Sequence, residues 1–334
     1  MESLVFAANA VLPIILLILL GYILKRIEFF DQPFFNQLNA YIFRIGLPVL
    51  LFHTIYEIES FESVYGDVLL FVAIAFVAFF FLGWIFVAFF VRDRAQKGVV
   101  LQSFVRGNFA LIGLPLAQLL GGMETVRIYA VLLALVVLLT NVLSVFSLTY
   151  YKQRDEDQGI GIARLFKSTL FNPLILAVLF AFLILFIRSL LPSEDGRIVF
   201  SIERDLSFFY HALELIGRTV SPLALIALGG QFRFSAVARL YRPLLSGVIG
   251  RIVVVPGVAL LSAYYLRDAL FGIDAAFPSL IAVFGAPVAV SSTVLTYEIG
   301  GDDELAGQLV FWSTLFSMPT IFLAIVIFRS LGVL

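Results

Sequence analysis

Long runs of apolar residues follow one another along almost the entire chain and are separated by short polar connections. A helix needs about 20 mostly apolar residues to cross the hydrocarbon core of a bilayer. By that length the pattern predicts ten membrane-spanning helices, at residues 4–24, 37–56, 67–91, 98–120, 126–150, 165–190, 207–232, 242–266, 276–298 and 304–328. No connection is long enough to form a separate soluble domain. We therefore expect an all-α integral membrane protein.

The fourth predicted span contains residues that are costly in hydrocarbon. Arg106-Gly107-Asn108 stands in its middle, and Gly113 and Pro115 follow within the same apolar run. A buried charge and an interrupted helix are tolerated at membrane depth only where protein or water surrounds them. We interpret this segment as a broken helix that lines a binding site.

The ninth predicted span carries a second interruption, at Gly285-Ala286-Pro287. Two interrupted spans in corresponding positions of two halves are typical of secondary transporters, which bind their substrates at the breaks. The two segments are therefore expected to cross near the middle of the membrane.

Short matches between the halves indicate a repeat. Arg44 and Arg218 each stand four positions before a proline, in spans two and seven. Gly121 and Gly300 each begin a Gly-Gly pair thirteen residues after Asn108 and Pro287, respectively. Because each half holds an odd number of spans, the second half has the opposite orientation in the membrane. The sequence thus predicts two inverted five-helix repeats.

The predicted repeats cover residues 1–150 and 165–334, and a cytoplasmic loop at 151–164 joins them. Lys and Arg are more frequent in and beside the connections after odd-numbered spans than on the opposite side. Cytoplasmic connections are enriched in these residues. We therefore expect a multi-pass protein of the cell membrane with both termini outside.

Composition narrows the chemistry. The chain is 61% hydrophobic and 13% charged, contains no cysteine and holds two histidines, His53 and His211. Disulfides are excluded, and a metal site and a cofactor are not expected. No basic block suggests nucleic acid, so membrane lipid and a small molecule are the expected partners. An intramembrane enzyme is the alternative from another class, but no GxSxG or HExxH motif supports it and no catalytic residue is assigned.

Several segments in order resemble one family. They are Gly46-Leu47-Pro48, Arg106-Gly107-Asn108 with Gly113-Leu114-Pro115, Ala224-Leu225, Gly285-Ala286-Pro287-Val288-Ala289 and Ser313-Thr314-Leu315. With this spacing the chain resembles the auxin efflux carrier family nearly end to end. The short connection after span five is similar to that of the microbial permeases in the family.

The resemblance implies a fold and a mode of action. Helices 1, 2, 6 and 7 would form a scaffold, and helices 3–5 and 8–10 a transport domain in which helices four and nine are broken and cross. Substrates of such carriers are small organic anions. Malate, malonate or an auxin-like acid would fit, carried by alternating access. A coupling ion (H⁺ or Na⁺), a homodimer and the direction of transport are left open.

Eight residues are predicted to bind the substrate. They are Arg106, Gly107, Asn108, Asn141, Gly285, Pro287, Ser291 and Thr314. The N-terminal end of a half-helix at a break supplies partial positive charge, and an arginine supplies a full charge and a planar fork for a carboxylate. No Asp or Glu occurs at 98–120 or 276–297, which argues against a cation as substrate. The alternative for Arg106 is that its side chain snorkels to the cytoplasmic face.

Other polar residues within the spans have two interpretations each. His211, Glu214 and Arg218 share one helix face and form either a proton relay or a neutralised ion pair. Arg251, five residues before Pro256, is expected to pair with helix ends of the transport domain. The runner-up function is a sodium-coupled symporter of a larger amphipathic anion.

Overall fold

A computed structural model describes residues 2–57, 65–151, 173–190, 201–231 and 240–334, and nearly all of this backbone is helical. The α-helices are α1 (Glu2–Arg26), α2 (Gln32–Tyr41), α3 (Leu47–Tyr56), α4 (Gly66–Phe90), α5 (Arg94–Val105), α6 (Leu114–Tyr151), α7 (Pro173–Leu190), α8 (Ile202–Asp205), α9 (Ser207–Gly230), α10 (Tyr241–Ile249), α11 (Val255–Leu266), α12 (Ile273–Gly285), α13 (Ser291–Ile299) and α14 (Asp303–Ser330). Three π-helical turns, Ile42–Gly46, Phe109–Gly113 and Gly250–Val254, precede α3, α6 and α11.

Seven helical stretches in the described ranges are long and apolar enough to cross a membrane. They are Glu2–Arg26, Gln32–Tyr56, Gly66–Phe90, Phe109–Tyr151, Ser207–Gly230, Tyr241–Leu266 and Asp303–Ser330. Leu176–Ile187 and Ile273–Gly285 are shorter apolar helices. The prediction of an all-helical membrane protein is confirmed, whereas ten spans in two inverted repeats stay a prediction. The loop predicted at 151–164 lies, after Tyr151, outside the described residues.

The outer surface of the helices is apolar. Phe89, Phe208 and Tyr265 are each more than 70% exposed, and large aliphatic side chains project along α1, α4 and α7. Water-soluble monomers rarely expose a contiguous apolar surface of this extent. The surface is therefore suited to contact with lipid tails.

Aspartates begin three of the helices. Asp31 Oδ1 accepts a hydrogen bond from the backbone N–H of Phe34, and Asp93 and Asp302 cap α5 and α14 in the same way, at donor–acceptor distances of 2.9, 3.1 and 2.9 Å. Such caps satisfy backbone donors that the helix itself leaves unpaired. All three lie in connections that the charge pattern places on the cytoplasmic side.

Glycine pairs end the second half of each interrupted segment. In α6 the helix is broken at Gly121 and Gly122, and Gly122 has φ 65° and ψ −152°. Gly300 closes α13 with φ 87°. A positive φ is inexpensive only for glycine. These pairs divide predicted span four from five, and nine from ten.

Close helix packing holds α1 against α9. A Cβ added to Gly21 would lie 2.0 Å from the carbonyl oxygen of Ile226, and one added to Gly229 would lie 1.9 Å from that of Ile18. Small residues allow backbones to approach this closely, which is a common way to pack helices in membranes. α3 packs on both α7 and α9, while α12 packs along α6.

Candidate functional site

The two interrupted segments meet at their breaks. The backbone N–H of Asn108 donates to the carbonyl oxygen of Pro287 at 2.6 Å. The backbone N–H of Ala289 donates to the carbonyl oxygen of Arg106 at 3.1 Å. Gly107 and Val288 thereby form an antiparallel bridge, and it is isolated within the described part of the chain. The two breaks are thus joined by a short backbone pairing, while a crossing near the middle of the membrane stays a prediction.

Local sequence explains why both helices stop here. Arg106 and Ala286 leave the helical region with ψ of 92° and 131°. The extended conformation of Ala286 is the one that a following proline favours. Pro287 itself has no N–H to donate, but its carbonyl oxygen accepts from Asn108.

A cavity of about 190 Å³ lies beside the paired breaks. It is lined by Phe43, Arg106, Gly107, Asn108, Phe109, Ala110, Leu111, Val137, Thr140, Asn141, Leu174, Ala289, Val290 and Ser291. Arg106 is the one charged residue among them, and the remaining polar groups are short amides and hydroxyls. The wall therefore combines a positive charge with an apolar lining.

Arg106 is fixed at the cavity wall by two side chains. Its Nη1 donates to Asn141 Oδ1 at 2.6 Å, and its Nη2 donates to Ser291 Oγ at 3.2 Å. Asn141 belongs to α6 and Ser291 begins α13, so the guanidinium joins two helices. Its Nε is buried and has no hydrogen-bond partner.

Asn108 adds a second unsatisfied donor. Its Oδ1 accepts from the backbone N–H of Leu111 at 3.4 Å and so caps the helical segment that follows the break. Asn108 is only 4% exposed, and its Nδ2 is buried without a hydrogen-bond partner. Buried donors are nearly always paired. Asn108 Nδ2 and Arg106 Nε are thus two buried donors without an acceptor among the described residues.

Five of the eight predicted binding residues line the cavity: Arg106, Gly107, Asn108, Asn141 and Ser291. The other three do not. Pro287 contributes its carbonyl to the bridge, and a Cβ on Gly285 would lie 3.2 Å from Ile321. The Thr314 hydroxyl donates a hydrogen bond to the carbonyl oxygen of Val310 at 2.7 Å.

Sequence reasoning attached too little weight to Ser313, next to Thr314. Ser313 Oγ accepts a hydrogen bond from the backbone N–H of Val288 at 3.0 Å and so supports the break in the ninth predicted span. Phe43 was also missed as a lining residue. The π turn Ile42–Gly46 carries Phe43, and such a turn cannot be recognised from hydrophobic spacing.

Arg251 lies next to the paired breaks but does not line the cavity. It is completely buried, and its hydrogen bonds go to the carbonyl oxygens of Ala286, Phe104 and Val283. The predicted pairing with helix ends matches these contacts. A full charge inside an apolar run was the available signal, but the sequence did not show which ends it would meet.

All three π turns converge on this region. Ile42–Gly46 supplies Phe43 to the cavity, Phe109–Gly113 supplies its first three residues, and Gly250–Val254 carries Arg251. Single π turns within α-helical segments occur frequently at functional sites. Their convergence makes the region of the paired breaks the candidate functional site.

His211, Glu214 and Arg218 lie apart from the cavity on α9. Glu214 Oε1 accepts from Arg218 Nη2 at 2.5 Å, and Glu214 Oε2 lies 3.4 Å from His211 Nδ1. The histidine and arginine side chains are 67% and 71% exposed. These contacts form an ion pair along one helix, while a role as a proton relay stays a prediction.

A second polar cluster joins three helices near the C-terminus of α3. Glu57 accepts from Arg127 Nη2 of α6 at 3.2 Å and from the Tyr210 hydroxyl of α9 at 2.8 Å. His53, which is 5% exposed, packs on the ring of Tyr210. Arg127 also contacts Glu124.

No group of three or more His, Cys, Asp or Glu side chains within the described ranges is placed to hold a metal ion. The groups gathered at the paired breaks are amides, hydroxyls, backbone and two arginines. Such groups recognise an anion by charge and hydrogen bonds and supply no nucleophile paired with a base.

Comparison with known proteins identifies the family of the chain. A family model described as membrane transport protein matches residues 6–325. No curated protein matches the chain. The matched family consists of transporters and not of enzymes. Because the match covers nearly the whole chain, the protein belongs to this family of membrane transport proteins, the auxin efflux carrier family.

Proposed function

We propose that the protein is a secondary active transporter for a small organic anion, and that the anion's carboxylate binds in the cavity beside the paired breaks. The observation that carries this proposal is the pair of buried, unsatisfied donors, Asn108 Nδ2 and Arg106 Nε. Unpaired buried donors cost about 1–3 kcal/mol each, and more when they are charged. A carboxylate offers acceptors to both and neutralises Arg106.

The dimensions of the cavity favour a small anion. Its volume of about 190 Å³ is below the roughly 300–1,000 Å³ that is usual for drug-sized ligands. A malate- or malonate-sized acid suits this space better than a bulky amphipathic anion does. Phe43, Val137 and Leu174 give the wall an apolar part that also accommodates the ring of an auxin-like acid. The size argument disfavours the alternative, a symporter of a larger anion.

Alternating access in this proposal uses ten spans in two inverted repeats. Two observations support the repeat: the breaks pair with each other, and a glycine pair ends the helix after each break. The helix contacts are consistent with a scaffold, because α1 packs on α9, and α3 packs on both α7 and α9. α4–α6 and α10–α14 would then form the moving transport domain.

The proposal also includes coupling to H⁺ or Na⁺ and a homodimer. It further includes the cell membrane as location, with both termini outside. The short connection after span five supports the microbial permease type. Sodium-dependent transport of a larger amphipathic anion, with no transport of the small acids, would favour the alternative.

The test is carboxylate binding by purified protein in detergent. Malate, malonate and indole-3-acetate are titrated against wild type, Asn108→Ala and the control Asn36→Ala, which alters an exposed asparagine on α2. We expect wild type and Asn36→Ala to bind one of these acids equally, and Asn108→Ala to bind it roughly ten- to a hundredfold more weakly. Equal affinity of Asn108→Ala and wild type would place the site elsewhere.

A further inference from the structure

Arg251 is a buried charge whose partners are all backbone. Its Nε donates to the carbonyl of Ala286 at 2.7 Å, its Nη1 to Phe104 at 3.2 Å and its Nη2 to Val283 at 3.3 Å. The guanidinium also faces the Phe109 ring, 5.5 Å from its centroid. A fully buried charge is expensive unless it is compensated. Its compensation here comes from main-chain dipoles, with the face of the Phe109 ring beside them.

Those dipoles belong to the ends of two helices. Phe104 lies in the last turn of α5, and Val283 lies in the last turn of α12, just before Ala286. The last carbonyls of a helix have no partner within it, and together they carry roughly half a negative charge. Both first halves of the broken segments therefore point negative ends at the crossing, and one guanidinium lies between them.

Gly107 separates this guanidinium from the cavity. It lines the cavity, and a Cβ added to it would lie 2.2 Å from Arg251 Nη2. Arg251 is consequently just behind the wall that an anion would touch. Gly250, beside it, allows the approach, because a Cβ there would lie 2.4 Å from the Phe104 ring.

We propose that Arg251 is a positioning residue of the anion site, a resident cation that neutralises the C-terminal ends of α5 and α12 and holds the paired breaks together. This proposal rests on the proposed function. Without the charge, two negative helix ends would face a bound carboxylate across Gly107, and three carbonyls would lose their donor. Lysine would keep the charge but cannot reach three carbonyls with one planar fork.

The first arm of the experiment measures affinity for malate, malonate and indole-3-acetate in detergent. Arg251→Gln removes the charge, and Arg251→Lys retains it. The matched control, Arg242→Gln, alters an exposed arginine at the start of the same span. We expect Arg251→Gln to lose roughly tenfold or more in the affinity of its folded fraction, Arg251→Lys to recover part of that loss, and Arg242→Gln to bind as wild type. Wild-type affinity in folded Arg251→Gln would overturn the proposal.

The second arm uses no anion probe. Arg251→Ala leaves a space that a free guanidinium ion fits, so millimolar guanidinium chloride should raise the Tm of this variant but not that of Arg242→Ala. Absence of that difference would contradict a resident cation at the crossing. If wild type binds none of the three acids, the proposed function fails and so does the role of Arg251 toward an anion. The guanidinium response would still report separately on the cation that holds the two helix ends.

Discussion

The backbone N–H of Asn108 donates to the carbonyl oxygen of Pro287, 179 residues away in sequence, at a distance of 2.6 Å. This bond joins the break in one half of the chain to the break in the other. Any movement of one broken segment must therefore carry the other or give up the pairing. The cavity beside it is built from both segments, so its shape depends on this contact.

Arg106 is predicted to recognise the carboxylate through its planar fork. Lysine keeps the charge but cannot hold Asn141 and Ser291 with two separate nitrogens while leaving an Nε donor for the anion. We expect Arg106→Lys to lose much of the carboxylate affinity and Arg106→Gln nearly all of it. The measurement is affinity in proteoliposomes, normalised to folded protein. Wild-type carboxylate affinity in both variants would support the alternative that the Arg106 side chain only snorkels to the cytoplasmic face.

Gly113 is predicted to be intolerant of a side chain. A Cβ there would lie 2.0 Å from the Tyr129 hydroxyl, which donates to the carbonyl of Phe109 at 2.8 Å. Overpacking of this kind costs about 1–3 kcal/mol, so Gly113→Ala should lower the Tm in detergent. Gly257→Ala is the matched control, because its Cβ would meet nothing within 4 Å. A Tm loss of the same size in both variants would contradict the steric explanation.

The contact between Glu57 and Arg127 is predicted to contribute more than the neighbouring one between Glu124 and Arg127. Glu57 is 21% exposed and also accepts from Tyr210, whereas Glu124 is 75% exposed. Exposed pairs contribute about 0.2–1 kcal/mol, and screening by water weakens them further. Double-mutant cycles on thermal unfolding, with Gln replacing each partner, should give the larger coupling for Glu57. An equal or larger coupling for Glu124 would refute this ranking.

Orientation can be tested directly, since the chain has no native cysteine. Cysteines at Glu2 and Asp268 should react with an impermeant reagent in intact cells, and a cysteine at Arg92 should react only after permeabilisation. All three positions are exposed. The reverse pattern would invert the predicted topology.

The sequence predicted the all-helical architecture and the two helix breaks where single residues have a strong local effect on the backbone. Asn108 and Pro287 interrupt long apolar runs, and Gly122 and Gly300 end helices with positive φ angles that other residues disfavour. Such effects depend on the backbone and need no knowledge of the tertiary contacts. These four residues therefore locate the breaks and the ends of the segments that follow them.

Side-chain direction was much harder to predict. Ser313 and Thr314 are adjacent and chemically alike. Yet the Ser313 hydroxyl accepts a hydrogen bond from the backbone of Val288, whereas the Thr314 hydroxyl donates to the carbonyl of Val310 in its own helix. Gly285 was predicted to touch the substrate, but it packs near Ile321. The partners of Arg251 come from two distant helix ends. In each case tertiary packing decides, and hydrophobic spacing gives helix position only to within a turn.

The most direct test of the central claim is an experimental structure of the protein with whichever of malate, malonate and indole-3-acetate binds most tightly. We expect a carboxylate in the cavity beside the paired breaks, within hydrogen-bonding distance of Asn108 Nδ2 and Arg106 Nε. A carboxylate bound away from both donors, or folded protein that binds none of the three acids, would contradict it.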